Sequence, residues 1–236
     1  MIWLGIDTAN TPISVALVKD GELLIEETSA MAINHSLRAM PAIEQLLEKA
    51  NLKPSDIGAI AVSEGPGSYT GARIGVTIAK TLAWTLGKPL VGVSTLKAMA
   101  ANVLFYNGLI CPLVDARRSN VYAGVYRSEA GKLTQLIEDG HYSLEELILL
   151  LEEQSSPILF VGKDTAMHKE MLIERLGTGA VISPLQFNLP RASSLIYVAA
   201  QSEPENDIHG FVPEYRRIAE AEANWLKEQG KENDLG

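Results

Sequence analysis

The stretch Gly65-Pro66-Gly67-Ser68-Tyr69-Thr70-Gly71-Ala72-Arg73-Ile74-Gly75 has the residue types and spacing that most invite chemistry. It follows an apolar segment and opens a helical pattern, where free backbone N–H groups and the helix dipole favour an anion. No Gly-Lys-Ser/Thr follows the glycines, so this is not a Walker P-loop. Gly65, Gly67 and Gly71 leave three residues in the second gap, where the dinucleotide-binding fingerprint has two. Gly67 and Ser68 are the candidates for a phosphate, and a tight structural turn accounts for the same glycines equally well. Asp7 and Asp115 each end an apolar segment. A carboxylate there accepts from the N–H groups of the following turn; in phosphate-transferring proteins that resemble this strand order, acidic residues at such strand ends instead hold magnesium through water beside the nucleotide. The turn role is the preferred expectation, with nucleotide binding by Asp7 left open. The four histidines, His35, His141, His168 and His209, include no pair at i, i+4, and a metal site needs several convergent donors. The single cysteine, Cys111, excludes an intrachain disulfide and any multi-cysteine zinc site. No Ser-His-Asp set is identifiable from spacing, although sequence order alone does not exclude a triad. The expectation is no metal, no cofactor and no catalytic residue.

These residues sit in a repeated order of elements. Strands are expected over 2–6, 13–18 and 23–28, joined by short turns, the second containing Gly21. A helix follows, capped by Asn34 or Ser36 and carrying Met40, Ile43, Leu47 and Ala50 at helical spacing, with Pro41 early in it. Then come a strand over 57–63, the glycine loop, a helix over 72–86 closed by Gly87, a strand over 90–93 and a helix to about Phe105. From Ile110 the order repeats: strands 110–114, 121–126 and 133–138, helix 144–154, strand 157–161, helix 165–176, strand 180–183 and helix 192–201. So β-β-β-α-β-α-β-α occurs twice, with Asp7 and Asp115 in equivalent places. This is the order of the two ribonuclease-H-like lobes of the actin, Hsp70 and sugar-kinase ATPases, an α/β class. The expected division is 1–105 and 106–217, hinged near Tyr106-Asn107-Gly108, with a polar tail over 218–236.

Composition bounds the function. The chain has 236 residues, 47% hydrophobic and 21% charged, with a formal net charge of −9, as in a globular protein. No basic region precedes the first apolar run, and no run approaches the ~20 residues that span a bilayer. A cytoplasmic protein without a membrane partner is expected. The acidic balance argues against gripping nucleic acid over the whole surface, because phosphate contacts need clustered Lys and Arg.

The glycine block resembles the signature of the TsaB (YeaZ) family, bacterial proteins of tRNA threonylcarbamoyladenosine biosynthesis. The resemblance extends to Gly5-Ile6-Asp7-Thr8, to His35-Ser36 with Pro41, to Asp115-Ala116-Arg117-Arg118 before Val121-Tyr122, and to Pro213-Glu214-Tyr215-Arg216. It covers about residues 1–217, with Arg216 standing where the family pattern has Leu. It implies a non-catalytic subunit that holds the TsaD transferase in an active arrangement, helped by the ATPase TsaE, and reaches tRNA through that complex. TsaD carries a His-x-x-x-His metal motif on its first helix; Pro41–Lys49 here contains no histidine. The rival readings are an ATP-dependent small-molecule kinase on the same fold and a peptidase. Arg117, Arg118, Arg127, Arg216 and Arg217 are the candidates for a local phosphate contact.

The helix over 72–86 is apolar nearly all round, which predicts cover on both sides, by an intrachain core or by a partner. The resemblance implies the partner: TsaB-like proteins pair through the two helices of the first lobe, with TsaD or with a second copy. The docking surface is then expected to use His35, Ser36, Leu37, Met40, Ile43, Glu44 and Leu47 of the first helix. The second would contribute Tyr69, Thr70, Arg73, Thr77 and Lys80. Asp at Met40 or Ile43 should abolish TsaD binding and leave the chain folded.

Overall fold

A computed structural model describes residues 1–10, 12–29 and 35–215, with side chains in the first helix from Arg38 onward. The first lobe runs β1 (Ile2–Asp7), β2 (Ile13–Lys19), β3 (Glu22–Ser29), α1 (His35–Lys49), β4 (Ala59–Gly65), α2 (Tyr69–Leu86), β5 (Leu90–Ser94) and α3 (Thr95–Ala100). The second runs β6 (Leu109–Asp115), β7 (Asn120–Glu129), β8 (Lys132–Ser143), α4 (Leu144–Glu152), β9 (Ile158–Val161), α5 (Thr165–Leu176), β10 (Ala180–Ile182) and α6 (Ala192–Ala199). The duplicated order is therefore present element for element. The sheets have equivalent orders, β3-β2-β1-β4-β5 and β8-β7-β6-β9-β10, each antiparallel in its meander and parallel beyond it. This is the two-lobed ribonuclease-H-like architecture. The proposed N-terminal caps of α1 at Asn34 and Ser36 lie outside what is described, as does the tail over 218–236.

β1 reads as a continuous apolar run because both of its faces are covered. On one face Leu4 and Ile6 join Ile43, Leu46, Val76 and Ala79 of α1 and α2 in the first core. On the other face α6 lies against β1 at Gly5, where a Cβ would come within 2.7 Å of the Ala192 carbonyl oxygen. Helix α6, the last in sequence, thus serves the first sheet, packing with Ala16, Ala61 and Val91. Its N-terminus is held by Glu26 of β3, which accepts from Ser193 N at 2.8 Å and from the Arg191 guanidinium at 2.8 Å. Helix α3 crosses the other way: Leu96 and Met99 pack with Ile110, Val114, Tyr126 and Val161 of the second sheet. Ser94, the N-cap of α3, donates to buried Asp139 of β8, which also accepts from Tyr126 Oη.

Candidate functional site

The glycine loop starts α2 earlier than the sequence suggests. Ser68 is the N-cap, its Oγ accepting from Gly71 N at 3.2 Å, so the helix takes in Tyr69, Thr70 and Gly71. The loop faces the turn that leaves β1. Ser68 N donates to Ala9 O at 2.6 Å, and Thr8 Oγ1 donates to Gly71 O at 2.7 Å. A Cβ on Gly67 would overlap the Ala9 carbonyl, one on Gly71 the Thr8 carbonyl, and one on Gly75 the Thr8 hydroxyl. The three glycines are what lets α2 seat against residues 8–10. The Ser68 N–H, which a phosphate at Gly67 and Ser68 would call on, is thus taken up by the Ala9 carbonyl.

Asp7 lies under this contact with no exposed surface. Its Oδ1 accepts from Ser63 Oγ at 2.7 Å and from Ala9 N at 3.2 Å, while Oδ2 is buried with no hydrogen-bond partner among the described residues. Burial pushes this carboxyl up to about 6 against the two hydrogen bonds, which pull it down. The bond from Ala9 N is the turn-capping geometry. At the equivalent end of β6, Asp115 Oδ2 accepts from Arg117 N at 3.2 Å, and Asp115 N donates to Asp164 Oδ2 at 3.1 Å. His168 Nε2 lies 3.3 Å from Asp115 Oδ1, near enough for attraction but not aligned as a hydrogen bond. Arg117, Arg118 and Ser119 all have positive φ, and the Asn120 amide donates to both arginine carbonyls, leaving two exposed arginines on a left-handed turn. A cavity lined by Asn10, Met99, Asp164 and Asn188 is about 10 Å³, room for one water. Among the described residues no group of three His, Cys, Asp or Glu side chains is placed to hold a metal ion.

The helix pair α1/α2 has a partly different outer face from the one expected. Met40, Tyr69 and Trp84 are 45%, 48% and 65% exposed. Glu44, Thr70, Arg73 and Thr77 are also exposed. Ile43 and Leu47 are corrected: at 2% and 6% exposure they belong to the first core, because the inner stripe of α1 packs on the sheet. Lys80 is half-buried and turned inward to the chain's own C-terminal segment, donating to His209 O and Phe211 O at 2.7 Å each. His35, Ser36 and Leu37 form the first turn of α1, and their side chains lie outside the description. Trp84, which sequence reasoning left out of the face, has its signal in helical spacing: it stands at i+4 from Lys80 and i+11 from Arg73.

With this geometry in hand, the relatives are informative. The chain is 44% identical over 229 residues to the tRNA threonylcarbamoyladenosine biosynthesis protein TsaB of Bacillus subtilis, covering 97% of this chain and 100% of that one. It belongs to the TsaB family. The Escherichia coli TsaB is 30% identical, with 97% and 99% of the two chains covered. The family model of TsaD, tRNA N6-adenosine threonylcarbamoyltransferase, matches residues 27–225. Among solved structures, YeaZ from Pseudomonas aeruginosa superposes with a TM-score of 0.78 at 25% identity, covering 91% of this chain and 99% of that one. A second structure from that organism, described as similar to peptidase YEAZ, gives the same TM-score of 0.78. In this TsaB-family chain, no helix among the described residues is long and apolar enough to cross a membrane.

Proposed function

We propose that this chain is the TsaB-type subunit of tRNA threonylcarbamoylation and that it performs no chemistry itself. Its part is to dock the TsaD transferase through the exposed side of α1 and α2 and, with TsaE, to hold it active. The same face serves a homodimer when the transferase is absent. The observation that supports this best is the closed loop at the end of β1. There Ala9 O accepts from Ser68 N, and the glycines admit the chain's own carbonyls, so the polar groups of this loop serve internal packing. Arg117 and Arg118 are assigned the direct contacts this subunit makes to tRNA phosphates, with the rest of the RNA held by its partners. Arg216 and Arg217 lie outside the described residues. The test is reconstitution of the modification from TsaD, TsaE and the threonylcarbamoyl-adenylate synthase, with and without this chain. Activity should collapse without it; full activity in its absence refutes the proposal.

A further inference from the structure

The segment that follows α6 returns to the first lobe and lies along α2 as a strap. Glu205 N donates to Leu90 O at 2.8 Å, and Phe211 enters the first core beside Gly92, where a Cβ would sit 2.7 Å from its ring. Lys80 ties down two strap carbonyls, and Glu214 N donates to Glu64 O at 2.7 Å. Gly65, at φ 114°, leaves room for the Glu214 carbonyl. At one end His209 meets Trp84 with ring centres 5.8 Å apart; at the other Tyr215 meets Tyr69 at 4.9 Å. The strap therefore runs antiparallel to α2 over its whole length. Tyr69, Arg73, Lys80 and Trp84 share one edge of that helix, and Thr70, Thr77 and Thr81 stay exposed beside it.

We infer that the strap is a working part of the docking face: Tyr215, held against Tyr69 by Arg73, is an aromatic anchor for a protein partner. This rests on the docking reading above and adds to it a segment outside α1 and α2. Arg73 and Lys80 are positioning residues in this arrangement. Arg73 Nε donates to Tyr215 Oη at 2.8 Å, and its guanidinium carbon stands 4.2 Å from the centre of the Tyr69 ring. The two tyrosines, 33° apart in plane and about half exposed, form a rigid apolar step with polar tips, the kind of group that concentrates binding energy at an interface. Its occupant is the TsaD-type protein partner of the docking reading. A nucleobase needs a free ring face on which to stack, and here the guanidinium covers one face of Tyr69 while the chain carries net charge −9.

The experiment measures Kd of the full-length chain for its TsaD-type partner by calorimetry, with thermal unfolding of the isolated chain as the control for folding. Tyr215→Ala should weaken binding at least tenfold with an unchanged melting temperature, and Tyr215→Phe should weaken it less. Lys80→Met, which alters only the strap's tether, should weaken binding several-fold and speed hydrogen exchange at the Phe211 and Glu214 amides, with Lys80→Arg restoring part of both. If the wild-type chain binds while Tyr215→Ala and Lys80→Met bind equally well, the strap inference is overturned and the docking reading stands. If the wild-type chain does not bind, the docking reading itself fails. Loss of tRNA binding by Tyr215→Ala with protein affinity intact would overturn the inference in favour of RNA.

Discussion

Replacing Asp7 with Asn should make the protein more stable at neutral pH, against the usual expectation for a buried polar residue at a motif position. The folded carboxyl titrates at about 6 against 3.8 in a solvated chain, with burial as the main cause. A carboxyl whose pKa is raised by folding holds its proton more tightly when folded. Stability is therefore highest at low pH, falls as pH rises from about 4 to about 6, and stays reduced above that range. A shift of about two units at about 1.4 kcal/mol each costs the folded state about 3 kcal/mol once Asp7 is ionised. Asn keeps an acceptor for Ser63 Oγ and Ala9 N and removes the charge, leaving an amide N–H2 where Oδ2 has no partner among the described residues. The neutral acid carries a comparable unsatisfied donor, so that cost largely cancels at low pH. The expected result is near-equal stability at pH 4 and an advantage for Asp7→Asn of about 2 kcal/mol at pH 8. Urea unfolding followed by tryptophan fluorescence and far-UV circular dichroism at the two pH values reads this difference, and coincident transitions license the two-state treatment. A difference between variant and wild type that does not change with pH would show that Asp7 carries no desolvation penalty, and the reasoning would fail.

Met40→Asp should abolish binding to the transferase with the melting temperature kept, whereas Ile43→Asp should unfold the chain, since an unpaired buried charge costs several kcal/mol; circular dichroism beside a pull-down separates the two. Gly71→Ala should destabilise by about 1–3 kcal/mol, because its methyl overlaps the Thr8 carbonyl in a tightly packed contact; equal stability in a urea titration would contradict that packing. Exchanging Arg117 and Arg118 together for Ala should weaken tRNA binding by the assembled complex and flatten its salt dependence by about two phosphate contacts, without changing transferase affinity. An unchanged slope removes them from the RNA surface.

The repeat was legible because each strand ends in turn chemistry that local rules recognise: Gly21 and Gly131 both adopt positive φ in the second turn of their lobes. Element bounds moved where tertiary contact overrides local signals. β8 runs on to Ser143 beyond the expected Glu138 because β7 pairs with it that far, and α2 begins at Tyr69 because Ser68 caps it. The purpose of Gly67, Gly71 and Gly75 was not legible, since spacing says that backbone comes close but not to what. The same holds for the outer face of α1. Met40 and Ile43 are alike in composition and differ only by about 60° around the helix, less than a sequence pattern resolves when the apolar stripe is broad. Lys80 looked like a surface cation, and nothing local announces that its partners are carbonyls more than 120 residues away.

The exchange of helices between the lobes constrains how the chain is made. All five strands of the first sheet have been synthesised by Ser94, yet α6 ends at Ala199 and Phe211 is later still. At 5–20 residues per second, that interval is on the order of 10 s. Throughout it the part of the first sheet that α6 covers, at Gly5 and Ala16, awaits that helix, with only Ala98 and Ala101 already present on this face. The nascent protein therefore carries an open apolar surface on the ribosome, and the lobe that is translated first is completed last.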